Sequence, residues 1–212
     1  PIMTNPLIAI GDVHGCASLL EATLKPHLHS GAELIFLGDL IDRAPEPEGD
    51  RRVLEQVFAL QSDPAAYGLA GVTVLRGNHE DMLLDVITDP DPDEDSLDQW
   101  LWNGGDLSLL PFVRTHRAWF EALPYFAVRG QYLFVHAGVR PGMALDAQWN
   151  RDMIWIREPF LSRPHGLPYT VVHGHSITPD FQIERKPGRI GIDTGAYRSG
   201  KLTALVLEVD PE

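Results

Sequence analysis

The sequence contains one cysteine, Cys16, in 212 residues. An intrachain disulfide is therefore excluded, and with it the stapled scaffolds of small secreted domains. Basic residues are scarce too: 17 lysines and arginines stand against 30 aspartates and glutamates, a formal charge of −13. A surface of that sign repels nucleic-acid backbones and anionic lipid, so neither is expected as a partner. Apolar runs of membrane-spanning length are missing, and the opening residues lack the basic and apolar zones of a signal peptide. These absences make a reducing cytoplasm the expected location. No internal repeat or low-complexity linker divides the chain. With residues 1–5 set aside as a ragged start, 6–210 reads as one domain, and 44% hydrophobic residues suffice for a sizeable core.

What is present is an alternation of short apolar runs and helical patterns. Leu7–Ile10 reads as a buried strand and Ala17–Leu24 as a helix. A strand over 34–37 precedes a loop rich in proline and glutamate at 44–49 and a helix near 51–61. A third strand, 72–75, feeds a helix that begins near His79. Residues 125–128 and 132–135 flank Arg129-Gly130-Gln131, and 181–185 and 189–192 flank Lys186-Pro187-Gly188; both read as hairpins. A run at 202–209 closes the chain. Early βα units followed by mainly antiparallel strands predict an α/β fold. Its two mixed β-sheets would pack as a sandwich flanked by helices.

The informative pattern follows the strands. One leads into Gly11-Asp12-Val13-His14-Gly15, the next into Gly38-Asp39 with Asp42-Arg43 close behind, and the third into Gly77-Asn78-His79-Glu80. Two later ones lead into His136-Ala137-Gly138 and, from a strand over 169–172, into His173-Gly174-His175. Strand carboxyl ends are where open α/β sheets place ligands. Aspartate, histidine and an asparagine carbonyl suit manganese, iron or zinc without any thiolate. Any one of these ends could be a polar turn. Five together could not, since Gly-Asn-His-Glu alone arises by chance on the order of once in a thousand sequences of this length.

These motifs resemble the phosphoprotein phosphatase family, in particular its short bacterial and phage-type members among the calcineurin-like metallophosphoesterases. Segments 100–110, 153–160 and 192–196 resemble the same branch. The resemblance implies the calcineurin-like metallophosphatase fold and hydrolysis of phosphate monoesters at two divalent metal ions, by attack of a metal-bridging hydroxide. Manganese is the first expectation for the metal, with iron or zinc as alternatives. By motif, Asp12 and His14 would hold one ion, Asp39 would bridge both, and Asn78, His136 and His175 would complete the second site. His79 would be the general acid and Asp42 its carboxylate partner. Arg43 and Arg157 would grip phosphate together with Asn78, the Arg157 match resting on Trp155-Ile156-Arg157-Glu158-Pro159-Phe160. His173 competes with His175 for the ligand role, and the family pattern favours His175, with His173 as a supporting hydrogen-bond partner.

The expected substrate is a phosphorylated protein or a small phosphomonoester, with serine or threonine phosphate first and tyrosine phosphate as an extension. A symmetric diadenosine polyphosphate hydrolase is the alternative; such relatives carry Asp where Glu80 stands and lack the equivalent of Asp42. A non-catalytic metal-binding scaffold is the alternative from another class. The family's glycine after the Asp-Arg pair is Ala44 here, which would be strained if its φ had to be positive. Trp100, Trp102 and Trp119 read as core or cap packing, the acidic run 89–98 as a solvated loop near the site mouth, and Arg76 as either substrate-facing or part of a surface ion pair.

Overall fold

A computed structural model describes residues 5–88 and 94–209. The apolar run Leu7–Ile10 forms β1, buried at every position. Strands β2 (Glu33–Phe36) and β3 (Gly71–Val74) lie parallel to it, and β9 (Ala204–Leu207) returns antiparallel on its other side, giving the order β3-β2-β1-β9. The second sheet has the order β4 (Phe126–Arg129), β5 (Tyr132–Val135), β6 (Thr170–His173), β8 (Arg189–Gly191), β7 (Glu184–Lys186). As expected, antiparallel pairings outnumber parallel ones in the second half: β4–β5, β7–β8 and β1–β9 are antiparallel, while β5, β6 and β8 run parallel at the centre of the second sheet. The long 136–169 connection gives the chain room to cross back and re-enter in the same direction.

The helices are α1 (Ala17–Leu24), α2 (Gly49–Ser62), α3 (Asn78–Thr88), α4 (Glu94–Trp102), α5 (Leu110–Thr115), α6 (Arg117–Glu121), α7 (Asn150–Trp155) and α8 (Ala196–Ser199). Part of the acidic run expected as a loop is thus helix from Glu94 onward; residues 89–93 lie outside the described residues. None of these helices is long and apolar enough to cross a membrane.

Period-two alternation assigns the core. Leu7, Ala9, Ile35, Leu37 and Leu75 of one sheet meet Phe134, Val172, Ile190 and Ile192 of the other in a buried layer. The opposite face of the first sheet, with Ile8, Ile10, Leu34 and Phe36, packs under helices through residues such as Leu20, Val57 and Leu83. Leu133, Val135 and Val171 do the same for the second sheet against Met153, Ile156 and Phe160. Both sheets are therefore covered on both faces, which is why their strands read as continuous apolar runs. The side chain of Arg129 ties the sheets at one edge, donating to both Glu33 oxygens at 2.7 and 2.9 Å. Phe134 has no exposed surface at the inter-sheet layer. Phe134→Ala is expected to lower unfolding stability by about 3–5 kcal/mol in denaturant titrations.

Candidate metal centre

The strand ends place the sequence-predicted residues in one cleft of about 370 Å³, lined by His14, Asp39, Arg43, Asn78, His79, Arg157 and His175. Asp12, Asp42 and His136 sit just behind that lining, each fully or almost fully buried. Two groups of potential ligand atoms form: His14, Asp39 and His79, and Asp39, His136 and His175, each within 4.8 Å. Asp39 belongs to both.

Backbone carbonyls fix how two histidines present themselves. His14 donates from Nδ1 to the Ile41 carbonyl at 3.0 Å, and His136 from Nδ1 to the Leu37 carbonyl at 2.8 Å. Each therefore turns Nε2 toward Asp39, at 3.6 and 3.4 Å respectively. Around His136 Nε2 this gathers lone pairs that only positive charge can satisfy. Asn78 Oδ1 lies 2.9 Å from His136 Nε2 and 2.9 Å from His175 Nδ1. His175 Nε2 is buried and has no hydrogen-bond partner among the described residues. Asp12 takes the His175 backbone N–H at 3.0 and 3.2 Å on its two oxygens and lies outside both ligand groups, beside Asp193.

The electrostatics express the same crowding. Burial and the neighbouring Asp193 push the Asp12 carboxyl well above its ordinary range. Burial would raise Asp39 as well, but His136, His79 and His14 outweigh it and hold Asp39 well below. Burial lowers His14 and His175 to about 3, so both stay neutral with lone pairs available. Burial works against protonation of His136, yet Asp39 beside it raises that imidazole to about 10. Without a cation, a proton on His136 is what balances Asp39.

Behind His79 stands a second device. Its Nδ1 donates to Asp42 at 2.6 Å, and the buried Trp100 indole N–H donates to Asp42 at 3.0–3.1 Å. Burial alone would lower His79, but Asp39 and Asp42 outweigh it and raise its pKa. Arg43 donates to His14 Nε2 at 3.3 Å and to the Asn103 carbonyl at 3.2 Å.

Several readings need amendment. Trp100 does more than pack, because it holds Asp42; Trp102, expected to pack, is 91% exposed. His173 points away from the cluster, to the Gly174 carbonyl at 3.1 Å and Arg189 at 3.2 Å. Of the two readings of Arg76 the ion pair holds: it pairs with Asp81 at 3.3 Å and also donates to Tyr125 and to the Phe120 and Glu121 carbonyls. Ala44 is free of strain: the left-handed residues are Asp42 (φ 70°) and Arg43 (φ 63°) before it. Sequence reasoning missed Asp193 and Tyr197, which line the cleft; the family-like segment 192–196 was a signal for Asp193, and Tyr197 follows just after it.

A sandwich of two mixed sheets with histidines and acids at the strand ends defines a metallophosphoesterase. The chain belongs to the calcineurin-like phosphoesterases, whose family model matches residues 6–201, and these enzymes use a dinuclear metal centre. It is 28% identical to serine/threonine-protein phosphatase 1 of Salmonella typhimurium over 92% of this chain and 88% of that protein. It is 33% identical to a symmetrical bis(5'-nucleosyl)-tetraphosphatase of Ralstonia nicotianae, over 66% of this chain and 44% of that one. A cold-active protein-tyrosine phosphatase from a Shewanella species shares the fold, with a TM-score of 0.64 and 18% identity over 96% of this chain and 75% of the other.

Asp50, on α2, is a further buried carboxyl close to Asp42. Burial and the nearby Asp42 raise its carboxyl to about 7, although the Asp42 backbone N–H donates to it. Because the folded pKa exceeds that of the unfolded chain, the protonated carboxyl contributes full stability below about pH 4. That contribution is lost as pH rises through about 7. Asp50→Asn keeps an acceptor for the Asp42 N–H and removes the titration. Its melting temperature relative to the parent is expected to rise from pH 4.5 to about pH 7 and to level off above it; a flat difference across that range would refute the assignment.

Proposed function

We propose that this chain is a metal-dependent phosphoprotein phosphatase. It would act on phosphoserine and phosphothreonine, and also on phosphotyrosine and small aryl phosphates, from a single catalytic domain spanning 6–210 in the cytoplasm. The observation that carries this reading is the 2.6 Å His79–Asp42 pair at the cleft. Expulsion of a serine or threonine alkoxide needs a proton donor, and a histidine held charged by a buried carboxylate is one. In the second reading, hydrolysis of diadenosine tetraphosphate, the departing ADP is already a stable anion and the pair would be idle. That reading is supported by the Ralstonia relative and by an asymmetrical bis(5'-nucleosyl)-tetraphosphatase of Anoxybacillus flavithermus, 25% identical over 92% of this chain and 88% of that one.

In the proposed assignment Asp12, His14 and Asp39 hold one divalent cation, manganese first and iron or zinc as alternatives. Asp39, Asn78, His136 and His175 hold the other. The donor set fits such ions: Asp39 belongs to both ligand groups, each group holds one neutral imidazole (His14 in one, His175 in the other), the Asn78 amide oxygen lies 2.9 Å from His136 and His175, and His175 Nε2 is otherwise unsatisfied. When bound, the cations supply Lewis-acid charge to the phosphoryl oxygens and acidify the attacking water. The chain's residues do the rest. Arg43 and Arg157 grip the phosphoryl oxygens through planar guanidinium groups. His79 keeps Nδ1–H on Asp42 and delivers the Nε2 proton to the departing oxygen. Trp100 pins Asp42, so the donor keeps its orientation.

His136→Ala is expected to lower bound metal below two ions per chain in elemental analysis, with activity falling in parallel. His79→Asn should keep both ions yet lower kcat by about 10²–10⁴ on an alkyl phosphate and far less on a nitrophenyl phosphate. An equal loss on both substrates would rule out His79 as the proton donor. Comparing kcat/KM on a phosphoserine peptide and on diadenosine tetraphosphate decides between the two readings.

A further inference from the structure

Next to the His173–His175 turn lies a buried polar cluster that the chemistry above does not use. Its centre is Arg189 on β8, 6% exposed. Nη1 donates to Glu184 at 2.6 Å and to His173 Nε2 at 3.2 Å, and Nη2 donates to the Leu161 carbonyl at 2.9 Å. Arginine has only donors, so His173 Nε2 accepts, and its Nδ1 carries the proton that goes to the Gly174 carbonyl at 3.1 Å.

Pairing with Glu184 needs only one corner of the guanidinium. The rest of the fork joins two segments that carry functional groups. One is the turn bearing His175, whose Gly174 carbonyl takes both the His173 ring and the Ser176 N–H. The other carries Arg157: Leu161 gives its N–H to the Arg157 carbonyl at 2.9 Å while its own carbonyl is held by Arg189. Phe160 fills the space between them. Its ring stands edge-on to His173 at 5.0 Å, and a Cβ on Gly138, two residues after His136, would run into it. His165 adds a second tie, donating from Nε2 to the Gly188 carbonyl at 2.9 Å.

The side chain of Arg157 has no comparable anchor. It is exposed at the cleft and makes no hydrogen bond or ion pair among the described residues. Arg43, by contrast, is held by His14, by the Asn103 carbonyl and over the Tyr197 ring. The aim of Arg157 is therefore set by its main chain, and that main chain is tied through Leu161 to Arg189.

We infer that Arg189 is a positioning residue for phosphate binding, which fixes Arg157 relative to the turn at His175. The inference rests on the phosphate-gripping role proposed for Arg157 and extends it to a residue that touches neither substrate nor metal.

The test compares the parent, Arg189→Lys, Arg157→Ala and the double variant, all manganese-loaded. Lysine keeps a charge beside Glu184 but has no planar fork to hold Leu161 and His173 together. Arg189→Lys is expected to lower kcat/KM on nitrophenyl phosphate about ten- to hundredfold, mainly through KM. Affinity for inorganic phosphate, measured by calorimetry, should fall about tenfold, with the metal content of the parent retained. In the Arg157→Ala background the same substitution should change either quantity by less than about threefold, because its target is gone. Equal losses in both backgrounds, no loss in either, or a loss of bound metal in Arg189→Lys overturns the inference. Should the lysine variant fail to fold, Arg189→Met/Glu184→Leu, which leaves no buried charge unpaired, goes through the same comparison. The calorimetric arm needs no turnover. A parent that binds phosphate with this coupling but hydrolyses no phosphomonoester would overturn the phosphatase reading and leave the role of Arg189 standing.

Discussion

The structure depends on a carboxylate placed where it should not be comfortable. Asp39 is buried, has Asp12 and Asp193 as neighbours, and is surrounded by His14, His79 and His136. Burying one ion is costly, and burying several of the same sign compounds the cost unless opposite charge is present. In the protein alone that charge is a proton on His136 and another on His79, both favoured by Asp39. Divalent cations would take over the first of these roles, releasing the His136 proton as Nε2 becomes a ligand. Metal affinity and proton affinity thus compete for the same lone pairs.

Holding Asp39 there costs backbone strain. His14, Asp39, Asp42, Arg43 and His175 all adopt left-handed φ between 46° and 70°, at about 1–2 kcal/mol each for residues other than glycine. Glu80 offsets part of this. Its carboxylate accepts the N–H groups of Asp39, Leu40 and Gly77 at 2.8–2.9 Å, clasping the loops after β2 and β3 together. Burial and Asp39 raise Glu80 to about 7 even though these N–H groups favour its ionised form. The fourth residue of the Gly-Asn-His-Glu motif therefore acts on geometry: it fixes the turn from which Asp39 and His79 project.

Much of this was legible because strand ends are local. The α1 boundaries and the β1 boundaries follow directly from the apolar runs and their glycine stops, and the residues of all five motifs meet in or just behind one cleft. Two kinds of feature escaped. The direction of β6 and β8 depends on how a long connection crosses the sheet, which no local pattern encodes. The role of Trp100 depends on a contact with Asp42, 58 positions away, and a tryptophan in an amphipathic helix looks the same whether its N–H is idle or bound. Asp193 was hidden for a related reason: a single aspartate after an apolar run has no companion motif to mark it.

The α4 end shows how these distant contacts combine into one unit. Trp100 turns inward to Asp42, while Trp102, two residues on, turns outward into solvent. The next residue, Asn103, gives its carbonyl to the Arg43 side chain, and Gly104 gives its own to the Arg43 backbone N–H at 3.0 Å. Gly104 sits at φ 100°, where a side chain would run into Arg43, and a Cβ on Gly105 would run into the Trp100 indole. Glycine is thus required at 104 by both its positive φ and the close approach of Arg43, and at 105 by close approach to Trp100. The result is that one short segment sets the orientation of both the proposed proton donor, through Asp42, and the proposed phosphate grip, through Arg43. A shift of this segment would disturb both at once, so proton delivery and phosphate binding are built to be lost or kept together.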